Sequence, residues 1–173
     1  MQGFVDETKA KKYRMVLVVI ANSQINKVRR ELNKLKNPSG RPVHFQTDDD
    51  SVRNIFISKL FELDFEAYAI TTEDKNPRNA RKACLGEICL LVESLKLKRL
   101  VLELDESIKQ WDLRTLKEFL SDKAIYHQIS YLHLRDSEEI CLTIADALAW
   151  CLNRGGDWHK KVQNLITKSI VCS

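Results

Sequence analysis

The chain has 173 residues, a formal charge of +4, 44% hydrophobic and 30% charged residues, the size and balance of one domain that can bury its own core. No apolar run approaches the ~18–20 residues of a membrane span; the longest, 15–21, is strand-sized, so no membrane partner is expected. Cys84, Cys89, Cys141, Cys151 and Cys172 are odd in number and show no C-x-x-C, which argues for buried free thiols rather than a disulfide framework or a thiolate metal site. No basic-then-apolar leader opens the sequence, so a cytoplasmic location is expected. The mild positive charge permits a nucleic-acid partner without demanding one.

In chain order, residues 2–7 and 13–21 read as a hairpin joined by a lysine-rich loop. Asn22 or Ser23 then caps a helix whose inner face is Ile25, Val28, Leu32 and Leu35 and whose outer face is basic. NPSGRP at 37–42 is a loop, and 43–46 a short strand. Thr47 and Asp50 form the spacing of a capping box for a helix expected to bury Val52, Ile55, Phe56, Leu60 and Leu63. A strand at 65–71 precedes a helix from Asn76–Pro77 to about Leu95, with proline at its permitted first position.

KRLVLELDE (98–106) is the clearest strand: Leu100, Leu102 and Leu104 face one way, Val101, Glu103 and Asp105 the other. A helix over 111–122, a strand over 127–134 and a long helix capped by Asp136 or Ser137 follow, the last ending near Gly155–Gly156. Asp157 reads as a cap for a final helix over 158–170. The whole, 1–173, is expected to be one α/β domain, a mixed sheet opened by an antiparallel hairpin with helices on both faces and 157–173 appended as a C-terminal helix.

Magnesium and manganese take hard oxygen ligands, and a pair of such ions activates water and stabilises the leaving oxygen of a phosphodiester. Acids at strand ends and on a buried helix are therefore the candidates. Asp6 ends the first strand and is either a turn carboxylate or a ligand. Glu103 lies inside the best strand, where its face is either solvated or metal-binding, with Asp105 the alternative ligand. Asp146 sits on a helix apolar over more than half its circumference, in line with Glu139 and Thr143, so it needs a cation, an arginine or several donors. The four histidines do not cluster as a zinc site does, and no Gly-rich phosphate loop or G-x-S-x-G elbow is present.

Four stretches, FVDET (4–8), RPVHF (41–45), LVLELDE (100–106) and IADALAW (144–150), resemble in order the motifs of a bacterial ribonuclease H-like family whose members are mostly domains of unknown function. The resemblance implies a ribonuclease H-like sheet and a Mg2+ or Mn2+ site made by Asp6, Glu103 or Asp105, and Asp146. It implies a nuclease in which Asp6, Glu103 and Asp146 are catalytic. Glu7 matches the family's second acid, and His44 a position expected near a substrate phosphate. Lys9, Lys11, Lys12 and Arg14 would project beside the acids, either to meet a phosphate backbone or to keep the hairpin edge soluble. Thr8 stands where the family has serine, Lys9 where it has glycine, and Thr143 or Ile144 where it has glutamine. Those departures motivate the alternative, a non-catalytic nucleic-acid or protein binding module on the same fold. The aromatic stretch around Trp150 and Trp158 would also suit a homo-oligomer contact.

Overall fold

A computed structural model describes residues 1–9 and 12–173; Lys11 of the lysine-rich loop lies outside them. Strands β1 (Gln2–Thr8), β2 (Tyr13–Ile20), β3 (Glu66–Thr72), β4 (Arg99–Glu103), β5 (Ser130–Leu134) and β6 (Lys168–Cys172) form one sheet in the order β5-β4-β1-β2-β3-β6. β1, β2 and β3 are an antiparallel meander; β4 runs parallel to β1, β5 to β4 and β6 to β3.

Alternation along β1 divides the molecule. Phe4, with Val16, Val18, Ile20 and Val101, faces the layer of α1 (Ile25–Asn33), α2 (Asp50–Leu60), α5 (Leu142–Arg154) and α6 (Gly156–Val162). Val5, with Met15, Leu17, Leu100 and Leu102, faces α3 (Pro77–Ser94) and α4 (Lys109–Asp122). Asp6 therefore belongs to the α5 side and Glu7 to the α3 side. α5 packs directly on β1 and β2, and all but Asp146, Trp150 and Arg154 of its residues are buried. The five cysteines are free and buried. Among the described residues no helix is long and apolar enough to cross a membrane.

Several expectations fail for local reasons. Residues 43–46 form no strand, because side chains take the backbone groups a ladder would use. Asp48 accepts from His44 N (2.7 Å), Asp146 accepts from Phe45 N (2.9 Å), and Arg53 Nε donates to Phe45 O (2.8 Å). The cap of α2 is Asp49, which accepts from Val52 N, rather than Thr47; Ile55 is exposed. Gln24, not Asn22 or Ser23, precedes α1 and makes no side-chain cap. Asp136 and Ser137 belong to a turn, and α5 begins only at Leu142. Asp157 lies within the first turn of α6. The helix expected over 158–170 stops at Val162; the β-branched run that follows adds β6 to β3, with Thr167 Oγ1 accepting from Ala67 N (3.0 Å).

Candidate active site

The carboxyl ends of the parallel neighbours β1 and β4 open into a cleft of about 370 Å³, where open α/β sheets commonly hold their ligands. Asp6 from β1, Glu103 from β4 and Asp146 from α5 all line it, as do His44 and Trp150. Three distant stretches of chain thus deliver acids to one hollow.

The cleft's electrostatics follow from crowded negative charge in a half-buried place. The Asp6 carboxyl lies well above its ordinary range, raised first by burial and then by the Asp146 charge, while the Glu7 N–H, 2.7 Å from Asp6 Oδ1, pulls the other way. Glu103 is pushed up to about 7 by burial, then by Asp136 and Asp146. No lysine or arginine ion pair joins any of the three acids among the described residues. Asp146 has no arginine partner either: its Oδ2 accepts from Phe45 N (2.9 Å) and lies 3.4 Å from His44 Nδ1. That contact raises the His44 pKa.

Asp48 and Phe45 explain how the loop after α1 places His44. Asp48 accepts from Asn37 Nδ2 (3.0 Å) and Arg41 Nη2 (3.0 Å) as well as from His44 N. Phe45 is fully buried, edge-on to Phe56 and to Trp150. Trp150 also takes the Arg53 guanidinium 4.4 Å from its ring centroid and meets Trp158 edge-on. Of the aromatic stretch, Trp150 forms part of the wall of the cleft.

The other predicted residues are placed differently. Asp105 does not line the cleft but a small crevice beside it, which Asp6, Glu7 and Glu103 also line, and it accepts from Ser107 N (2.9 Å) and Oγ (2.6 Å). Glu7 contributes to the cleft's lining, but its carboxylate is held on the opposite side of the sheet by Arg81, Tyr13 and Lys9 (2.8 Å). Lys12 pairs with Glu73 (2.5 Å), and Lys9 and Lys12 line a different pocket. Glu139, expected above Asp146, is clasped instead by Arg29 (2.6 Å) and Arg99 (3.0 Å).

Sequence reading missed Asp136 as a site residue. It lines the cleft from the turn after β5, and its charge acts on Glu103 and His44. Its signal was the one used for Asp6, an acid just past the end of a strand.

As placed, no three His, Cys, Asp or Glu side chains among the described residues form a ready-made metal cage. The donor set nonetheless fits a hard divalent cation: it is all oxygen, comes from three elements, and is joined to no lysine or arginine among the described residues.

No protein-family model and no curated protein matches the chain. Among solved structures, the ribonuclease HII in "Structure of the PCNA:RNase HII complex from Archaeoglobus fulgidus" matches with a TM-score of 0.56 and 14% identity, over 95% of this chain and 75% of that one. At such identity the likeness speaks for architecture and leaves chemistry to the residues. The fold is ribonuclease H-like, a six-stranded mixed sheet opened by an antiparallel hairpin and covered by helices on both faces.

Proposed function

We propose that this chain is a divalent-metal-dependent nuclease that hydrolyses phosphodiester bonds. One observation carries the reading: Asp6, Glu103 and Asp146 reach a single cleft from β1, β4 and α5 without a lysine or arginine partner among the described residues. In this reading these three residues would hold Mg2+ or Mn2+, with Asp136, which lines the same cleft, as a further oxygen donor. The bound ion supplies the Lewis acid that polarises the phosphoryl group.

The chain's own groups do the rest. Asp6, Glu103 and Asp146 would hold the cation, whose charge would offset the mutual repulsion that raises the Asp6 and Glu103 carboxyls. His44, with Nδ1 turned to Asp146, keeps a proton more readily than a free imidazole and presents it to a phosphate oxygen. Trp150 offers a flat apolar surface to a base or sugar beside the acids. Lys9 and Lys12 meet the substrate only by exchanging their present carboxylate partners.

The test is incubation with labelled DNA, RNA and hybrid strands with Mg2+, with Mn2+, and with chelator. Metal-dependent cleavage lost in Asp6→Asn and in Asp146→Asn is expected. Cleavage that persists in both variants overturns the reading. A second reading, binding without cleavage, is favoured by the missing ready-made cage; it predicts retention of strands with no divalent-ion dependence.

A further inference from the structure

Among the described cations of the opening hairpin, Lys9 and Lys12 pair with carboxylates and Arg14 does not. It lies on β2, opposite Thr8 of β1 and Thr71 of β3, on the same face of the sheet as Asp6. Its Nε and Nη1 atoms are buried and have no hydrogen-bond partner, and no carboxylate pairs with it among the described residues. Burial alone lowers its pKa. A half-buried guanidinium without partners is costly, because its lost hydration is not replaced.

The space it faces explains why it is tolerated. Arg14 lines a pocket of about 190 Å³ with Thr71, His159, Gln163 and Ser169, and no acidic residue contributes to that lining. These residues bring hydroxyl, amide and imidazole groups to the lining beside apolar Ala69, Leu152 and Ile166, and the planar fork of an arginine matches the oxygens of a phosphate. A volume of this size takes a tetrahedral oxyanion together with water, each water occupying about 30 Å³. β6 is essential to the pocket, since Ser169 belongs to it.

We propose that this pocket is an oxyanion site that takes a phosphate group, and that its occupant is a backbone phosphate of the strand lying across the acidic cleft. The choice of a strand as the source of that phosphate rests on the nuclease reading; the oxyanion chemistry does not. The register supports the link. Asp6 pairs with Val16, so Arg14 is the diagonal neighbour of Asp6, at a spacing of about 7–8 Å. Thr8, the direct partner of Arg14, lines the acidic cleft and accepts from Asn153 Nδ2 (3.0 Å). A strand leaving the acids over Thr8 reaches Arg14 next.

The experiment has two arms, run on the wild-type chain, Arg14→Met and Arg14→Lys. In the first, inorganic phosphate is compared with chloride at matched ionic strength in thermal unfolding. Phosphate should raise the wild-type Tm and leave that of Arg14→Met unmoved, because only a folded-state site gains from the ligand. In the second, a labelled single-stranded oligonucleotide is titrated in chelator across a salt series. Arg14→Met should weaken binding about three- to tenfold and lower the slope of log K against log salt by about 0.7, the value of one phosphate contact on a single strand. Arg14→Lys, which keeps the charge but not the fork, should fall between.

Arg14→Met should fold as well as the wild type, since it leaves no partner orphaned; phosphate-dependent Tm of the wild type tests the site independently of that variant. Identical behaviour of all three proteins in both arms overturns the proposal. A phosphate response without an oligonucleotide effect assigns the pocket to free phosphate and overturns its link to the strand. Cleavage by the wild type with no Arg14 effect sinks this inference and spares the nuclease; both Arg14 responses without cleavage do the reverse.

Discussion

Arg81→Met is the substitution whose consequences follow most directly from the geometry. Arg81 sits on α3 with a side chain only 6% exposed, and its Nε and Nη2 each lie 2.6 Å from a carboxylate oxygen of Asp112, which is fully buried. The same guanidinium reaches Glu7 and, at 3.1 Å, the Tyr13 hydroxyl. Methionine keeps the apolar stem and removes the fork, leaving Asp112 with the His133 imidazole, Nε2 at 3.1 Å, as its remaining side-chain partner among the described residues. Breaking a buried pair in this way costs about 3–5 kcal/mol. For a chain of this length that is a Tm fall of about 6–20 °C.

The pH dependence has a definite sign. Burial works to raise the Asp112 carboxyl, but the Arg81 hydrogen bonds and His133 outweigh it and hold it below its ordinary value. Its contribution is therefore complete above the ordinary aspartate pKa, about 3.9, and is lost as pH falls through the lower folded value. Urea unfolding of both proteins from pH 7 to pH 3 should show the gap between them narrowing at the acid end. A loss below about 1 kcal/mol at pH 7, or a gap that stays constant with pH, refutes the reasoning and with it the assignment of Glu7 to a structural network.

Three further outcomes are expected. In metal-free protein, Asp146→Asn should bring the His44 titration, followed by NMR, down toward about 6.5, because the contact with Asp146 is the main cause of its elevation. Gly3→Ala should destabilise by about 1–3 kcal/mol in chemical unfolding, since the added Cβ would stand 2.9 Å from both Leu17 Cδ1 and Leu97 Cδ1. Glu139→Gln should cost about 1.5–3 kcal/mol by the same assay, as Glu139 is 3% exposed and bonds the guanidinium groups of Arg29 and Arg99.

What could be read from sequence was whatever local periodicity controls. The alternation in β4 put Glu103 on the Val101 face, and the wide apolar circumference of α5 marked Asp146 as a buried acid in need of an explanation. The strand at 43–46 could not be judged that way. Its backbone is satisfied by Asp48 and Arg53, four and eight residues from their partners, and by Asp146, whose contact is made across the fold and is invisible to a short window. β6 was hidden similarly, since Lys168–Cys172 becomes a strand only because β3 offers a free edge. Glu7 and Asp6 are adjacent in sequence yet point to opposite layers, so a reading by motif grouped two acids that the pleat separates. Asp136 was taken for a helix cap because the long helix was begun too early.

Calorimetric titration of Mn2+ into the wild-type chain and into Asp6→Asn, Glu103→Gln and Asp146→Asn bears most directly on the shared acidic cleft. Wild-type protein should bind the ion, and each of the three substitutions should weaken binding at least tenfold while the fold, followed by circular dichroism, is kept. Absence of binding by the wild type, or affinity unchanged in all three variants, would contradict a common cation held by these carboxylates.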